Sequence, residues 1–382
     1  MSHMSVTLVV VLVCLLSRTS ANAQPAVADF VSSAPIPPAI QNIQSWIKAL
    51  GGKYELGIRR GNETIVRVDL KHSWLTDVDL KKLASLSELE SLDLAYTKVT
   101  DEGLEQLKPL RNVRSLNLYY AEYVTDTAIA HLKHWAKLEY LNLRGTKVTS
   151  TLFDHLVGMP SLRSLDVAYS RVNDDNFERL SELPNLEGLS FGGNKMSGVA
   201  LPLLKLLPTL RELNVAGQQR TDSGLWSVNV NDFNFDNITA LTELRALDLS
   251  GTAVSDRSAA QLVTLSKLES LDLSRTKVTA KGIAILAALP GLKHLKLRQT
   301  DNFDDAALVA CSVLKAVETL ELQETKITAT GLNAFTPAAS LKRLLIGGTQ
   351  LATEELARFQ ARYPNCYVSW WPKPEITIDE SR

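Results

Sequence analysis

A short motif that recurs about every 24 residues constrains the fold of this chain more than any other feature of its sequence. Two of its clearest copies are LESLDLAYTKVTDEGLEQLKPL, which begins at Leu89, and LEYLNLRGTKVTSTLFDHLVGM, which begins at Leu138. Related segments, which make twelve copies in all, begin at Ile65, Val113, Leu162, Leu186, Leu210, Leu244, Leu268, Leu292, Val317 and Leu341. Because no single copy has enough apolar residues to close a core, neighbouring copies must stack into an array.

Each copy predicts one short strand followed by one short helix. Leu92 and Leu94 alternate with outward-facing residues, as in a strand that buries one face. Three more leucines follow at helical spacing and should face the same core. Thr100 and Asp101, between the two groups, are residue types that cap the start of a helix. The sequence therefore predicts an α/β repeat array with one continuous core.

The template LxLxxTxVTDxGLxxLxxL resembles the leucine-rich repeats of planctomycete-type bacterial proteins, and it is similar to the repeats of F-box leucine-rich proteins. The similarity covers residues 65–370, and the ending YPNCYVSW resembles the closing strand of the bacterial group. The resemblance implies a right-handed solenoid, or horseshoe, with a parallel sheet on the concave face and short helices on the convex face. It also implies a binding role. The similarity to F-box leucine-rich proteins, which is limited to the repeats, implies an adaptor role as an alternative.

The remaining sequence predicts the domain organisation. Residues 1–23 are expected to be a signal peptide, since their apolar run is too short to span a membrane and is followed by Ala-Asn-Ala, a cleavage pattern. Residues 24–38 form a linker rich in Pro, Ala and Ser, and residues 39–64 form an N-terminal cap. The repeats occupy 65–362, and 363–382 supply a C-terminal cap strand and tail. We therefore expect export to the periplasm, the cell surface or the medium, without a membrane span in the mature chain.

One copy is about ten residues longer than the others and runs from Pro208 to Leu241. We place its extra residues near 227–237, within SVNVNDFNFDN, on the non-concave side of the array. Insertions of this kind often mark a binding face. The secondary candidates for ligand contact are therefore Trp226, Phe233 and Phe235. The alternative is that these aromatic side chains pack back on the helices.

Two other recurring positions predict contacts between copies. A threonine follows most strands, and we expect its hydroxyl to be buried and to bond loop backbone from copy to copy. It occurs as Thr97, Thr146, Thr252, Thr276, Thr300, Thr325 and Thr349. The residue after the first leucine alternates in charge, which predicts ion pairs between strands about 4.8 Å apart. The series is Glu90, Arg114, Glu139, Arg163, Glu187 and Arg211, then Arg245, Glu269, Lys293, Glu318 and Lys342.

Charge and motifs exclude several classes of function. The 41 basic and 42 acidic residues give a net charge of −1, which argues against nucleic-acid binding because such proteins normally carry a basic excess. Nucleotide-binding and hydrolase motifs are absent, so we expect no enzyme activity and no cofactor. His131, His134 and His155 could approach one another, but exposed helix histidines are usually solvated, and we expect no metal. An enzyme built on Asp93 or Asp166 is disfavoured because catalytic carboxylates need two distinct environments.

The concave strand positions contain the primary candidates for binding. Tyrosine and arginine, which are enriched at binding hot spots, concentrate in consecutive copies beside amide and carboxylate side chains. The candidate residues are Tyr119, Tyr140, Arg144, Asn117, Asn142 and Asp166. We expect Tyr119, Tyr140 and Arg144 to lie within about 5–10 Å of one another. A second, more basic cluster consists of His294, Lys296 and Arg298.

Taken together, these features predict an exported, non-enzymatic repeat protein that binds a macromolecular partner on its concave face. Aromatic rings beside a guanidinium and amides suit a peptide backbone or a sugar ring equally well, so the partner is a protein or a glycan. A structural or assembly protein of the cell envelope is the alternative.

Overall fold

The computed structural model describes residues 38–370. The predicted signal peptide, the linker up to residue 37 and the tail after residue 370 lie outside the described residues. The helices are α1 (Pro38–Ala49), α2 (Asp77–Leu83), α3 (Asp101–Glu105), α4 (Asp126–Leu132), α5 (Leu152–Leu156), α6 (Asp236–Thr239), α7 (Asp256–Leu262), α8 (Ala280–Ile285), α9 (Asp305–Ala310), α10 (Ala329–Ala334) and α11 (Thr353–Arg362). Short 3-10 helices occupy Phe177–Glu182, Leu201–Leu206, Leu286–Ala288 and Cys311–Val313.

The strands that face the concave side form one sheet of 14 strands whose order follows the sequence. They are β1 (Lys53–Arg59), β2 (Asn62–Asp69), β3 (Ser91–Asp93), β4 (Ser115–Asn117), β5 (Tyr140–Asn142), β6 (Ser164–Asp166), β7 (Gly188–Ser190), β8 (Glu212–Asn214), β11 (Ala246–Asp248), β12 (Ser270–Asp272), β13 (His294–Lys296), β14 (Thr319–Glu321), β15 (Arg343–Leu345) and β16 (Tyr367–Ser369). Only β1 and β2 pair antiparallel within this sheet; its other neighbours are parallel.

The core lies between the sheet and the helices, as the leucine spacing predicts. Leu92 and Leu94 of one copy are buried together with the three leucines of its helical part. In register, Leu92 lies beside Leu116 of the next copy, and the central leucines of the later strands pair in the same way. Each buried leucine contributes roughly 1.5–3 kcal/mol, so the stacked copies share one hydrophobic core from end to end.

Both ends of the solenoid are covered by elements outside the repeat template. At the N-terminal end, α1 buries Ile47 and packs Trp46 against the same core, and β1 pairs with β2. At the C-terminal end, the ring of Phe359 in α11 stacks on Phe335 with 6.1 Å between centroids. The last strand, β16, then pairs with β15.

Aspartates at the starts of helices bind the next copy, a contact that the sequence did not suggest. Asp77 accepts hydrogen bonds from the amide and the hydroxyl of Thr100 at 2.9 and 2.7 Å. The same pair of bonds recurs at Asp101–Thr125, Asp126–Thr149, Asp232–Ser255, Asp256–Thr279 and Asp305–Thr328. These bonds therefore tie six pairs of neighbouring copies together on the side where the helices begin.

Most of the buried threonines do not form the expected bonds from copy to copy. Thr97 Oγ1 donates to the carbonyl oxygen of Leu94 in its own copy at 2.6 Å, and most of its equivalents do the same. Thr300 is the exception among the described residues, since its hydroxyl lies 3.4 Å from the carbonyl oxygen of Leu273 in the previous copy. Asn194 holds this position in one copy, and its longer amide donates to Val167 of the previous copy at 2.8 Å and to Phe191 at 2.9 Å.

The alternating charges at the strand entries form the predicted ion pairs between copies. The guanidinium of Arg163 lies 2.6 Å from Glu187, and Glu269 pairs with both Arg245 and Lys293 at 2.9 and 2.8 Å. These pairs are partly exposed, so each contributes only about 0.2–1 kcal/mol. Their main effect is on the register between similar copies.

The extra residues of the long copy lie at 218–227, so their predicted placement near 227–237 on the non-concave side is wrong. They form a hairpin of β9 (Gln218–Thr221) and β10 (Gly224–Ser227). The hairpin leaves the solenoid where the concave strands end. Its Gln218 side chain donates to the carbonyl oxygen of Gly251 in the next copy at 3.3 Å.

The segment 228–237 instead follows the ordinary repeat template. Val228 and Val230 are buried at the positions that Thr97 and Val99 hold in their copy. Asp232 accepts hydrogen bonds from the amide and the hydroxyl of Ser255, as the equivalent aspartates do from the threonine of the next copy. The prediction failed because the Asn and Asp residues of this segment resemble an inserted loop, whereas the spacing of the two valines matches the core.

Candidate binding surface on the concave face

The third residue after each concave strand of the repeats has a left-handed backbone conformation. Glycine holds this position in several copies, but Tyr96, Tyr120 and Tyr169 hold it in others, with φ of 57°, 52° and 54°. For a residue with a Cβ, this conformation is about 1–2 kcal/mol less stable than the right-handed one. His72, Arg275, Gln299 and Glu324 have the same conformation in other copies, so it belongs to the repeat. The tyrosines are candidates for a binding surface because they place aromatic rings at the strand ends.

Four rings at the ends of β2, β3 and β4 pack into an aromatic ridge that consists of His72, Tyr96, Tyr119 and Tyr120. The ring of Tyr96 stacks on His72 at 4.5 Å between centroids and lies nearly parallel to Tyr120 at 5.7 Å. Tyr119 contacts the two tyrosine rings edge-on, at 5.1 and 4.8 Å. Because the rings cover one another's faces, the ridge presents ring edges and hydroxyls to solvent.

The hydroxyls of Tyr96 and Tyr120 remain protonated at physiological pH. The neighbouring Tyr119 raises the pKa of Tyr96 above its ordinary value, and burial raises the pKa of Tyr120. A neutral phenol both donates and accepts hydrogen bonds. Tyr96 is 46% exposed, so this hydrogen-bonding capacity is open to a partner.

Arg144 follows the ridge in the next copy and is held on two sides. Its guanidinium carbon lies 4.5 Å from the centroid of the Tyr169 ring, and its Nη1 lies 3.7 Å from Asp166 Oδ2. Burial raises the pKa of the Asp166 carboxyl, and the guanidinium opposes this by favouring the charged form. Arg144 is therefore pre-organised, which reduces the entropy that a partner must remove on binding.

The amides and carboxylates at the last residue of each strand also have a structural role, which the sequence did not predict. Asn117 Oδ1 accepts a hydrogen bond from the amide of Tyr119 at 3.1 Å. Asn142 and Asp166 accept the same bond from the residues two positions after them. These bonds turn the chain out of the strand. One oxygen of each side chain is thereby occupied, and only the other atom is available for a partner.

Tyr140 lies apart from the other predicted residues. It is in register with Ser115 and Ser164, four residues before the position of Arg144. Tyr140 is the first residue of β5, whereas Tyr119 and Arg144 each lie two residues after the end of a strand, so the distance of 5–10 Å expected for Tyr140 stays a prediction. The structure brings together Tyr119 and Arg144, and Tyr140 is half exposed on its own.

The secondary candidates separate into three different environments. Phe235 is fully buried in the core, so its predicted contact with a partner is wrong. Phe233 is 84% exposed beneath the guanidinium of Arg257, 5.4 Å from its centroid. Trp226 belongs to the hairpin, where its Nε1 donates to Ser223 at 3.0 Å. Only Phe233 and Trp226 can reach a partner.

Beyond Tyr169, the concave surface contains a groove that the sequence analysis did not predict. Its volume is about 280 Å³, and small residues such as Ala216, Gly217 and Ser250 form its floor. Arg144 and Tyr169 line it on one side and Arg275 and Arg298 on the other. The run of small residues at these strand positions was the signal in the sequence, because small side chains leave room for a ligand.

A second cavity of about 310 Å³ lies along the middle of β6, β7, β8, β11 and β12. It is bordered by Asp166, Asn214, Asp248 and Asp272, and we call it the acidic pocket. Lys296, from the predicted basic cluster, also lines it and lies 3.9 Å from Asp272. Asn214 and Asp248 line both cavities, so the acidic pocket and the groove lie side by side.

Among residues 38–370, no group of three or more His, Cys, Asp or Glu side chains is arranged to hold a metal ion. Within the same range, no helix has the length and apolar character needed to cross a membrane. Cys311 and Cys366 are both buried and free, and burial raises the pKa of each thiol. These thiols therefore pack as apolar side chains.

Comparison with known proteins agrees with this architecture. A family model described as Leucine Rich repeat matches residues 87–108 and 264–287. The crystal structure of an internalin from Listeria monocytogenes superposes with a TM-score of 0.54 at 16% identity, covering 88% of this chain and 98% of that chain. The fold is a leucine-rich repeat solenoid. A leucine-rich repeat protein from Leptospira interrogans is 19% identical over 76% of this chain and 74% of its own, with a TM-score of 0.48. No curated protein matches the sequence.

The predicted fold and repeat are thereby confirmed, although these matches single out neither planctomycete nor F-box repeats. Stacked repeats build an extended concave surface. In this solenoid that surface contains the aromatic ridge, the groove and the acidic pocket.

Proposed function

We propose that this chain is an exported, non-enzymatic protein that binds a polypeptide partner along its concave face. The observation that carries the proposal is the aromatic ridge followed by Arg144 and Tyr169 at the strand ends. The four rings of the ridge lie outside the core and pack on one another. Tyrosine and arginine in rigid, partly buried positions are the side chains that supply most binding energy at protein interfaces.

The arrangement of the ridge favours a polypeptide over a glycan. A sugar ring stacks on an open aromatic face, but His72 and Tyr120 cover the faces of Tyr96. What remains accessible is a row of ring edges and hydroxyls beside a fixed guanidinium. These groups match the carbonyls, amides and side chains of an extended peptide. A glycan partner is therefore an outcome that the binding experiments must be able to detect.

We predict that Tyr119→Ala combined with Arg144→Ala weakens binding by more than about 2 kcal/mol, the level that defines a hot spot. Folding is expected to change little because both side chains lie outside the hydrophobic core. The measurement is calorimetric titration of peptides selected against the purified chain from a displayed random library, with an arrayed glycan set tested in parallel.

The matched control is Arg343→Ala combined with Tyr367→Ala. This pair also projects from the concave sheet, in register on β15 and β16, but at the far end of the solenoid. The control should bind like the parent. If the ridge variant also binds like the parent, the ridge is not the binding surface, and the exposed Phe233 and the hairpin become the better candidates. If the chain binds glycans and no peptide, the partner is a glycan and the proposal of a polypeptide partner is wrong.

The export part of the proposal is supported by the apolar run and the Ala-Asn-Ala pattern within residues 1–23. We predict cleavage after Ala23 when the full chain is expressed in a secreting bacterial host. N-terminal sequencing of the mature protein should therefore begin at Gln24. Ala21→Asp with Ala23→Asp should leave the precursor uncleaved, since the cleavage site needs small residues. An intact N-terminus on a chain recovered from the cytoplasm would contradict export.

A further inference from the structure

The rim of the solenoid at which the concave strands end carries a row of exposed cations in its N-terminal half. They occupy one repeat position and form the basic strip, which consists of Lys98, Lys147, Arg171 and Lys195. The same position holds Trp74 in the first copy and Tyr123, next to Glu122, in the third. These two rings are 84% and 50% exposed. Later copies have neutral residues such as Asn229 and Ala253 there, so positive charge is concentrated in the N-terminal half.

The charges of the basic strip are not neutralised within the protein. Within residues 38–370, no carboxylate oxygen lies within 4.0 Å of the charged nitrogens of these four side chains. Cations at the strand entries differ, since Arg163 lies 2.6 Å from Glu187. The aspartates that follow the strip along the chain are engaged elsewhere: Asp101 accepts from Thr125, and Asp174 accepts from an amide of the next copy at 2.8 Å. The strip therefore remains available to an anionic partner.

Consecutive copies run side by side at the basic strip, which brings its cations close together. The amide of Lys147 donates to the carbonyl oxygen of Val124 in the previous copy at 2.9 Å, and the amide of Arg171 donates to Val148 at 2.9 Å. Backbones joined in this way lie about 4.8 Å apart. Lys147, Arg171 and Lys195 belong to three consecutive copies, and like charges side by side repel one another. A partner that supplies negative charge would remove this repulsion.

The aromatic rings of the rim hold two of the lysines in place. The Nζ of Lys98 lies 5.7 Å from the centroid of the Trp74 ring, and the Nζ of Lys147 lies 5.2 Å from that of Tyr123. A ring face attracts an ammonium group, so these charges stay at the rim. A nucleic-acid base that stacked on either ring would compete with the lysine for a ring face. The rim therefore favours a partner that it recognises by charge rather than by stacking.

The basic strip lies directly beside the surface proposed to bind a polypeptide. Lys98 follows Tyr96 of the aromatic ridge by two residues, and Arg171 follows Tyr169 by two. Two residues of chain span at most about 7 Å, which is within reach of an extended lysine or arginine side chain. A polypeptide segment bound at the ridge can therefore contact the strip as well.

We propose that the polypeptide partner of this chain is acidic, and that the basic strip selects it. Two or more aspartate or glutamate side chains, close together in the bound segment, would pair with the cations of the strip. Carboxylates accept charge-assisted hydrogen bonds from ammonium and guanidinium groups, which are stronger than bonds between neutral groups. The inference rests on the proposed function, and it names the chemistry of the partner. Charges at the edge of an interface act mainly on specificity and on the rate of association.

The test uses peptides selected from a displayed random library against the purified chain at low salt. We expect the selected peptides to be rich in aspartate and glutamate. Their binding should weaken at least about tenfold when salt is raised from about 20 mM to about 200 mM, because salt screens exposed charges. Lys147→Glu with Arg171→Glu, the strip variant, should weaken binding at least about tenfold at low salt. The corresponding change to glutamine should weaken it less, because it adds no repulsion.

The matched control is Lys277→Glu with Lys326→Glu. Both lysines are exposed and hold the same repeat position in the C-terminal half, so the control changes the net charge by the same amount. It should leave peptide affinity nearly unchanged. The strip variant alters only exposed side chains, so circular dichroism should show the unfolding midpoint of the parent. A charge-swapped peptide, with lysine in place of its acidic residues, should bind the strip variant more tightly than the parent chain.

Each outcome separates this inference from the proposed function. Peptides without an acidic preference, whose affinity falls in the Tyr119→Ala and Arg144→Ala variant but not in the strip variant, would overturn the inference and leave the proposed function in place. Failure to select any peptide would overturn both. Binding of heparin or of a DNA duplex that the strip variant loses, without an acidic preference among the peptides, would assign the strip to another polyanion and overturn the inference.

Discussion

Leu271→Asp is expected to destabilise the solenoid by more than about 4 kcal/mol, a loss that single substitutions reach only through severe mechanisms. Leu271 is 0% exposed in β12, and it lies in register between Leu247 and Leu295 of the neighbouring copies. An aspartate there would bring a charge into the core with no donor or cation to satisfy it. Because each copy is stable only through its neighbours, the damage should spread to the adjacent repeats.

Urea unfolding followed by circular dichroism measures this loss, and hydrogen exchange locates it. Leu271→Ala should have an intermediate effect of about 2–5 kcal/mol, because it removes packing without adding a charge. The matched control is Ala260→Asp, which places the same charge on the exposed face of α7 and should change stability by less than about 0.5 kcal/mol. Unchanged unfolding of Leu271→Asp would contradict the placement of this leucine in the core and the alignment of the repeats.

Gly192→Ala is expected to have the second largest effect on stability. A Cβ at this position would lie 1.8 Å from the carbonyl oxygen of Ala216 in the next strand exit. The contact involves backbone, so no side-chain rotation relieves it, and the two copies must move apart. We expect a loss of about 3 kcal/mol or more, at the upper end of overpacking effects, and a distorted groove.

The control for this prediction is Gly291→Ala. The nearest atom to a Cβ there is a backbone oxygen at 3.4 Å, which is an ordinary contact, and the backbone is not left-handed. Gly291→Ala should therefore leave the unfolding midpoint nearly unchanged, or raise it slightly because alanine restricts the unfolded chain. If Gly192→Ala unfolds at the same urea concentration as the parent, the close approach of the two strand exits is not a feature of the protein.

The core could be predicted in detail because its residues repeat. Leu92 and Leu94 recur in spacing from copy to copy, and stacking is the only way for such short units to bury them. The ion pairs between copies could also be predicted, since parallel strands in register place equivalent residues of alternating charge side by side. The hairpin was misplaced because a single irregular copy has no repetition to align it, and its buried valines looked like part of a polar loop.

The candidate site was only partly predictable. Sequence spacing showed that Tyr119 and Arg144 occupy equivalent positions of consecutive copies, but it treated Tyr140 as their neighbour although it lies about four residues away along the strand direction. Spacing also places Tyr96 and Tyr120 at equivalent positions of consecutive copies, but the stacking of their rings depends on a left-handed backbone at each strand exit.

The sequence by itself determined the repeat, the α/β solenoid and the residues that fill its core, because burial of periodic leucines depends only on spacing along the chain. The tertiary structure decided which polar side chains have partners. The pairing of Asp272 with Arg298 and Lys296, and that of Asp166 with Arg144, arise from distances between copies across the sheet. Those distances are set by side-chain packing over many strands, which local spacing does not encode.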